Sequence, residues 1–206
     1  MMAASTMKAG SDLDPRDEPV RQMLARCSEI GRACAALGET KNPTTLALLA
    51  RAELESLITL LWTVISTANA AELKSAGLAE LTRAARVNLQ SGKLKATNKA
   101  TGANETSRLL QDDRFKKLPK RKSVETKAEE AGVLDLYNIF YRFMSLETHG
   151  HQLETEANAD AWELTAMHLQ GLGALTLAIG HVGTLWLLHR RRIESEALRQ
   201  LLGLAQ

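Results

Sequence analysis

LALLARAELESLITLLWTVISTA, residues 46–68, is a mostly apolar stretch separated by two residues from a preceding Asn42-Pro43. Proline fits the first turn of a helix, where its missing N–H costs nothing, so a helix opens at this dipeptide. Working outward, apolar periodicity and stop signals give a helix over 19–37 ending at Gly38, and another over about 71–90 stopping before Ser91-Gly92. A further helix is expected over 124–149, stopping at Gly150. A last one begins near Asn158 and continues to the C-terminus, weakened at Gly171, Gly173, Gly180 and Gly183. There are no internal repeats and no strand-like alternation. The expected fold is all-α, an antiparallel helical bundle. A flexible leader is expected over 1–18 and a single helical domain over 19–206, with a polar, basic insert at about 91–123.

Composition supports this and excludes several classes. The chain has 206 residues, 45% apolar and 4% aromatic, enough to bury a core and too rich in Ala and Leu for wholesale disorder. Two cysteines cannot build a disulfide scaffold. Four prolines and few β-branched or aromatic residues argue against an all-β fold. Cys27 and Cys34 lie seven apart, about 10 Å along a helix, too far to bridge and near one face. Two buried, reduced thiols are expected. The N-terminal residues lack the apolar core of a signal peptide, and the expected compartment is the cytoplasm.

Formal charge is +2, but unevenly spread. Residues 86–122 hold eleven basic and three acidic side chains, net +8, leaving 15 basic and 21 acidic, net −6, elsewhere. The densest part, RFKKLPKRK, contains Arg114, Lys116, Lys117, Lys120, Arg121 and Lys122. Such a run suits a phosphate backbone, since each cation that neutralises a phosphate releases a counterion. A solvated loop and an acidic protein partner are the other readings. Only Phe115 interleaves the cations, so base stacking is not indicated here.

In GVLDLYNIFYRFMSLETHGH, residues 132–151, a spacing of 100° per residue gathers Asn138, Arg142, Ser145 and His149 on one stripe. Val133, Leu136, Phe140, Phe143 and Met144 fall opposite. A solvent face is one reading, but such faces draw on Lys and Glu, whereas this one carries Asn, Arg, Ser and His beside Tyr141. Arg142 and His149 are two turns apart, close enough to engage one phosphodiester. A helix C-terminus at His149 would favour its protonated form.

The segment 142–149, RFMSLETH, resembles the Arg-x(4–6)-His signature of the HEPN superfamily, helical domains that often act as metal-independent ribonucleases. The chain also resembles an uncharacterised bacterial family described only as a domain of unknown function. That family pairs an early Arg-x3-Glu, here Arg51 and Glu55, with a later Tyr-Arg-x-x-Ser-x3-His, here Tyr141 to His149. The resemblance spans about 44–188. It implies a homodimer bringing two Arg/His pairs into one cleft. His149 would move a proton as a ribose 2′-hydroxyl attacks phosphorus, and Arg142 would stabilise charge on the phosphate. Ser145 and Tyr141 would complete the catalytic set, with Arg51, Glu55 and Asn138 supporting it. No metal or cofactor is implied. Phe143 stands where ribonuclease members carry Asn, Asp or His, and the six-residue gap is at the upper limit. A non-catalytic RNA-binding or scaffolding descendant therefore stands beside the catalytic reading.

Arg51 and Glu55 also read simply as an i,i+4 ion pair, or with Glu55 orienting Arg142 or His149. His149 and His151 point to different sides, and His168, His181 and His189 lie on another helix without a ligand motif, so no metal site is expected. No Gly-rich phosphate loop appears. Residues 171–188 are eighteen uncharged residues before His189-Arg190. A buried helix using glycines for close approach is preferred over a membrane span. The expected function is RNA binding with endoribonuclease activity, in a toxin or phage-defence setting with an antitoxin or regulatory protein as a further partner. The alternatives are a non-catalytic interaction module using the basic loop, and a membrane-associated helical protein.

Overall fold

A computed structural model describes residues 14–37, 42–142 and 161–190. The expected leader before residue 14, Ser145 and His149 of the polar stripe, Gly150, His151 and the chain beyond Arg190 lie outside the described residues. The described chain is all-α, with one isolated bridge between Thr97 and Asn104. Its elements are α1 (Asp17–Leu37), α2 (Pro43–Ile65), α3 (Thr67–Gln90), α4 (Thr106–Gln111), α5 (Asp113–Lys116), α6 (Val124–Glu130), α7 (Leu134–Leu136), a π-helical turn (Tyr137–Tyr141) and α8 (Ala161–His189). They fall into two units, one made of the residues up to Asn69 together with those from Ser123 onward, the other of residues 70–122.

In the first unit α2 is the central helix. Asn42 caps it by accepting from the Thr45 N–H at 3.0 Å, and Pro43 occupies its first turn. Leu46, Ala50, Leu54, Leu57, Ile58, Leu60 and Trp62 are all buried, on more than one side, as an apolar helix requires. Full burial of each large side chain contributes about 1.5–3 kcal/mol. Ile30 and Cys34 of α1, Ala128 of α6 and Leu172 of α8 close over the N-terminal half of α2. Val20, Leu24 and Cys27 of α1 with Ile179 and Trp186 of α8 close over Leu57 and Leu60. These pairings fix direction: α1 runs antiparallel to α2, and α8 runs parallel to α2 and antiparallel to α1. Both cysteines are buried and reduced, as expected.

The ends of α1 and α8 are tied by charge. Trp186 Nε1 donates to Asp17 Oδ1 at 2.9 Å, Arg190 Nε reaches the same oxygen at 3.3 Å, and the Arg16 guanidinium lies 4.5 Å over the Trp186 ring. Arg16 also donates to the Val64 carbonyl at 3.0 Å. Burial pushes the Asp17 carboxyl up, but the bonds from Trp186 and Arg190 outweigh it and hold the group below its usual value. The hydrogen bond from Arg16 brings Asp14 down to about 2. α1 accordingly starts at Asp17 rather than at Pro19.

Three expectations are corrected. The helix expected over 124–149 is broken: Gly132, at φ 70°, ends α6. Its N–H bonds Glu129 O at 3.0 Å and the Val133 N–H bonds Ala128 O at 2.8 Å, a Schellman closure that only the left-handed glycine allows cheaply. The third helix begins at Thr67, not near Ala71, because Ser66 is extended and its Oγ accepts from Asn69 N at 3.1 Å. The apolar face assigned to Phe140 is also wrong. The π-helical turn shifts the register, so Tyr137 and Tyr141 join Val133 and Leu136 against the core, while Phe140 is 53% exposed.

The glycines of α8 do not break it. One of them serves close approach: a β-carbon on Gly183 would overlap the side chain of Leu24, whereas at Gly171, Gly173 and Gly180 it would meet open space. No described helix is long and apolar enough to cross a membrane.

The second unit carries α3 from Ala70 onward, a turn closed by Asn98 N to Ala103 O and Glu105 N to Ala96 O, then α4, α5 and a return segment to Lys122. Arg83 bonds Glu80 and the Pro119 carbonyl, Arg86 reaches Phe115 O at 3.3 Å, and Lys122 pairs with Glu72 at 3.1 Å. The basic segment is thus laced to α3 and partly helical, rather than a free loop.

Candidate functional site

Of the residues singled out in the sequence, Arg51, Tyr141 and Arg142 come together where α2, α6 and the π-helical turn meet. π-helical turns are rare and frequently mark functional positions. This one sets Tyr137 and Tyr141 in a stack, ring centroids 5.0 Å apart at 20°. Arg51, from the middle of α2, donates to the Tyr141 hydroxyl at 3.2 Å, with its guanidinium 5.0 Å from the ring centre. Arg142, at the end of the turn, lies 5.6 Å over Tyr137. The order across the site is Arg51, Tyr141, Tyr137, Arg142, two cations bracketing two stacked rings. Each cation–ring contact is worth about 0.5–1 kcal/mol where solvent reaches it.

Arg142 is not anchored by Glu55. Its Nη2 donates to Glu125 Oε1 at 2.8 Å, from the first turn of α6, with the two side chains 60% and 48% exposed. Ser123 fixes that first turn by accepting from Thr126 N at 3.0 Å. One guanidinium N–H is engaged by a carboxylate while the planar fork still faces solvent, the geometry a phosphate oxygen pair could take in exchange. Asn138 is exposed on the same turn, and Glu55 is partly buried one turn beyond Arg51 on α2. Ser145 and His149 lie outside the described residues.

Between α6 and α2 is a second polar cluster that the sequence reading missed. Lys127 of α6 is 2% exposed, its Nζ 3.3 Å from Thr59 Oγ1 and 5.4 Å over the Trp62 ring. Trp62 Nε1 in turn donates to Glu130 Oε2 at 2.5 Å. These bonds fasten α6, and with it Glu125, to α2. Glu125 and Lys127 carried no local signal, because their partners are 17 and 68 residues away. The break at Gly132 that brings them together was itself legible, as an Ala-Gly-Val after an acidic helical turn.

In the second unit Lys116, Lys117, Lys120 and Arg121 are exposed, and Lys122 is partly buried against Glu72. Lys117 lies 3.6 Å from Asp113. The side chain of Arg114 lies outside the described residues. Residues 70–122 hold thirteen basic and five acidic side chains, net +8. The unit as a whole is therefore as cationic as the segment within it. Among the described residues no three His, Cys, Asp or Glu side chains converge as metal ligands would.

Fold and site together define an all-α protein with a basic unit inserted between two helices of its core and an arginine–tyrosine ladder on a π-helical turn. The chain belongs to the family of unknown function DUF5677, whose model matches residues 17–159. The match covers α1 through the π-helical turn, with all of residues 70–122, and stops before α8. No curated protein and no solved structure is significantly similar to the chain.

Proposed function

We propose that this protein binds RNA, with the basic unit holding the backbone and Arg142 engaging a phosphodiester, and that it acts as a metal-independent endoribonuclease of HEPN type. The observation that carries the reading is charge segregation: net +8 on residues 70–122 of a chain whose total is +2. A cationic unit with exposed Lys116, Lys117, Lys120 and Arg121 suits a polyphosphate. In the chemical step His149 accepts the proton of the 2′-hydroxyl as that oxygen attacks phosphorus; the P–O5′ bond breaks, the 5′-oxygen leaves as a hydroxyl after taking a proton from water, and a 2′,3′-cyclic phosphate remains. Arg142 stabilises the charge that develops on the non-bridging oxygens. The nucleophile is internal to RNA, and Ser145 and Tyr141 flank the pair. The reading includes a homodimer, a cytoplasmic setting and a toxin or defence role with a regulatory partner, which rest on family resemblance alone.

Two observations favour a second reading, a non-catalytic RNA-binding module. Arg142 is paired with Glu125, and Phe143 follows it in place of a polar residue. The deciding experiment incubates mixed RNA with the purified protein in EDTA beside His149→Ala and Arg142→Ala. Cleavage lost in both variants supports the nuclease. Cleavage that persists in both sinks the site. Salt-sensitive binding without cleavage in any form establishes the module instead.

A further inference from the structure

Glu53 sits in the middle of α2 with no exposed surface, and both of its bonds end on the same oxygen. Cys27 Sγ of α1 approaches Oε1 at 2.7 Å and Thr176 Oγ1 of α8 at 3.1 Å, so this one carboxyl joins the three helices of the bundle. The other oxygen, Oε2, is buried and has no partner. A carboxylate here would leave a negative oxygen without a donor in an apolar seam, the costliest arrangement available to it. A protonated carboxyl removes the charge and leaves only a neutral O–H without an acceptor on Oε2, a smaller cost than a buried charge.

Among the described residues no cation pairs with it directly. α1 contributes Cys27, Cys34 and the exposed Arg26; α8 contributes the Thr176 hydroxyl, with buried His168 two turns away; α6 contributes Lys127, which faces Thr59 and Trp62. We propose that Glu53 is held as a neutral carboxylic acid at neutral pH and acts as an alkaline-sensitive latch, its ionisation loosening the α1–α2–α8 seam and uncovering Cys27. Burial raises the Glu53 carboxyl above its usual range, against weaker opposing pulls from Cys27, Thr176 and Arg26. Burial and then Glu53 itself push the Cys27 thiol up to about 12, so Cys27 remains a donor while Glu53 changes state. A carboxyl whose folded value is raised contributes its full stability below its unfolded value. That contribution is lost as pH rises through the folded value.

The test has two independent readings. Carboxyl NMR of protein labelled with 13C-glutamate should show one glutamate still protonated at neutral pH; a spectrum in which every glutamate has ionised overturns the proposal. In a Cys34→Ser background, labelling of Cys27 by a thiol reagent is compared with the urea-unfolded chain at each pH, which removes the intrinsic thiolate effect. Protection should fall as pH is raised from neutral to about pH 10, as ionisation of a carboxyl with a raised folded value withdraws its contribution. It should stay flat in Glu53→Gln. An equal fall in both proteins overturns the latch. If Glu53→Gln does not fold, the NMR result on the unaltered chain decides.

Discussion

Arg142 and Glu125 form an ion pair across 17 residues of chain, Nη2 to Oε1 at 2.8 Å, at the edge of a tyrosine stack. The arginine proposed to hold a phosphate is thus already holding a carboxylate, and RNA must displace it. An exposed pair of this kind is worth about 0–1 kcal/mol, a restraint that a phosphodiester can overcome.

Glu125→Gln should therefore tighten RNA binding, by about two- to fivefold, the ratio that up to ~1 kcal/mol allows. Arg142→Ala should weaken binding, and the double variant should resemble Arg142→Ala. Fluorescence anisotropy with a short single-stranded RNA at fixed salt is the measurement. Unchanged affinity in Arg142→Ala would mean that Arg142 does not meet the RNA.

Neutralising Lys116, Lys117, Lys120 and Arg121 to Gln should flatten the salt dependence of RNA binding. Each lost phosphate contact reduces the slope of log K against log salt by about 0.7 for a single strand. These side chains are exposed, so the melting temperature should move little. A salt slope identical to that of the unaltered chain would remove the basic unit from the interface.

Gly183→Ala should destabilise the bundle by about 1–3 kcal/mol, because the added methyl meets Leu24 in a packed seam. Gly173→Ala is the control: a β-carbon there meets nothing, and the better helix former should stabilise by up to about 1 kcal/mol. Urea denaturation of the two variants should give shifts of opposite sign.

Acid should unfasten the junction of α1 and α8 first. Arg16 holds Asp14 at about 2, and bonds from Trp186 and Arg190 hold Asp17 down against its burial. Both carboxyls have depressed folded values. Their contribution is present above the ordinary aspartate range and is lost as pH falls through about 4 toward 2. Trp186 packs beside Asp17, so its fluorescence should report the change. Asp17→Asn should lose much of the acid-dependent part.

The sequence carried the all-α class and the main helices because those signals are local: an apolar run, the Asn42-Pro43 start, a glycine at a helix end. The buried thiols and the basic segment were legible for the same reason. The π-helical turn was not. A spacing of 100° per residue places Phe140 inward, and one wider turn rotates it out to 53% exposure while bringing Tyr137 and Tyr141 in. The ladder of Arg51 with Tyr141 depends on contacts 90 residues apart, for which no local pattern exists. Glu53 was hidden differently, since an acidic residue between Arg51 and Glu55 looks like a surface position until three helices close around it.

The residues that form the two buried clusters all come from before Asn69 or after Ser123. Among the described residues, the intervening 53 supply none of the side chains in either cluster. Lengthening or recharging this cassette should therefore call for no compensating change in α1, α2 or α8. Across the family, sequence drift should concentrate there, so that one scaffold can be retargeted by altering a single exchangeable module.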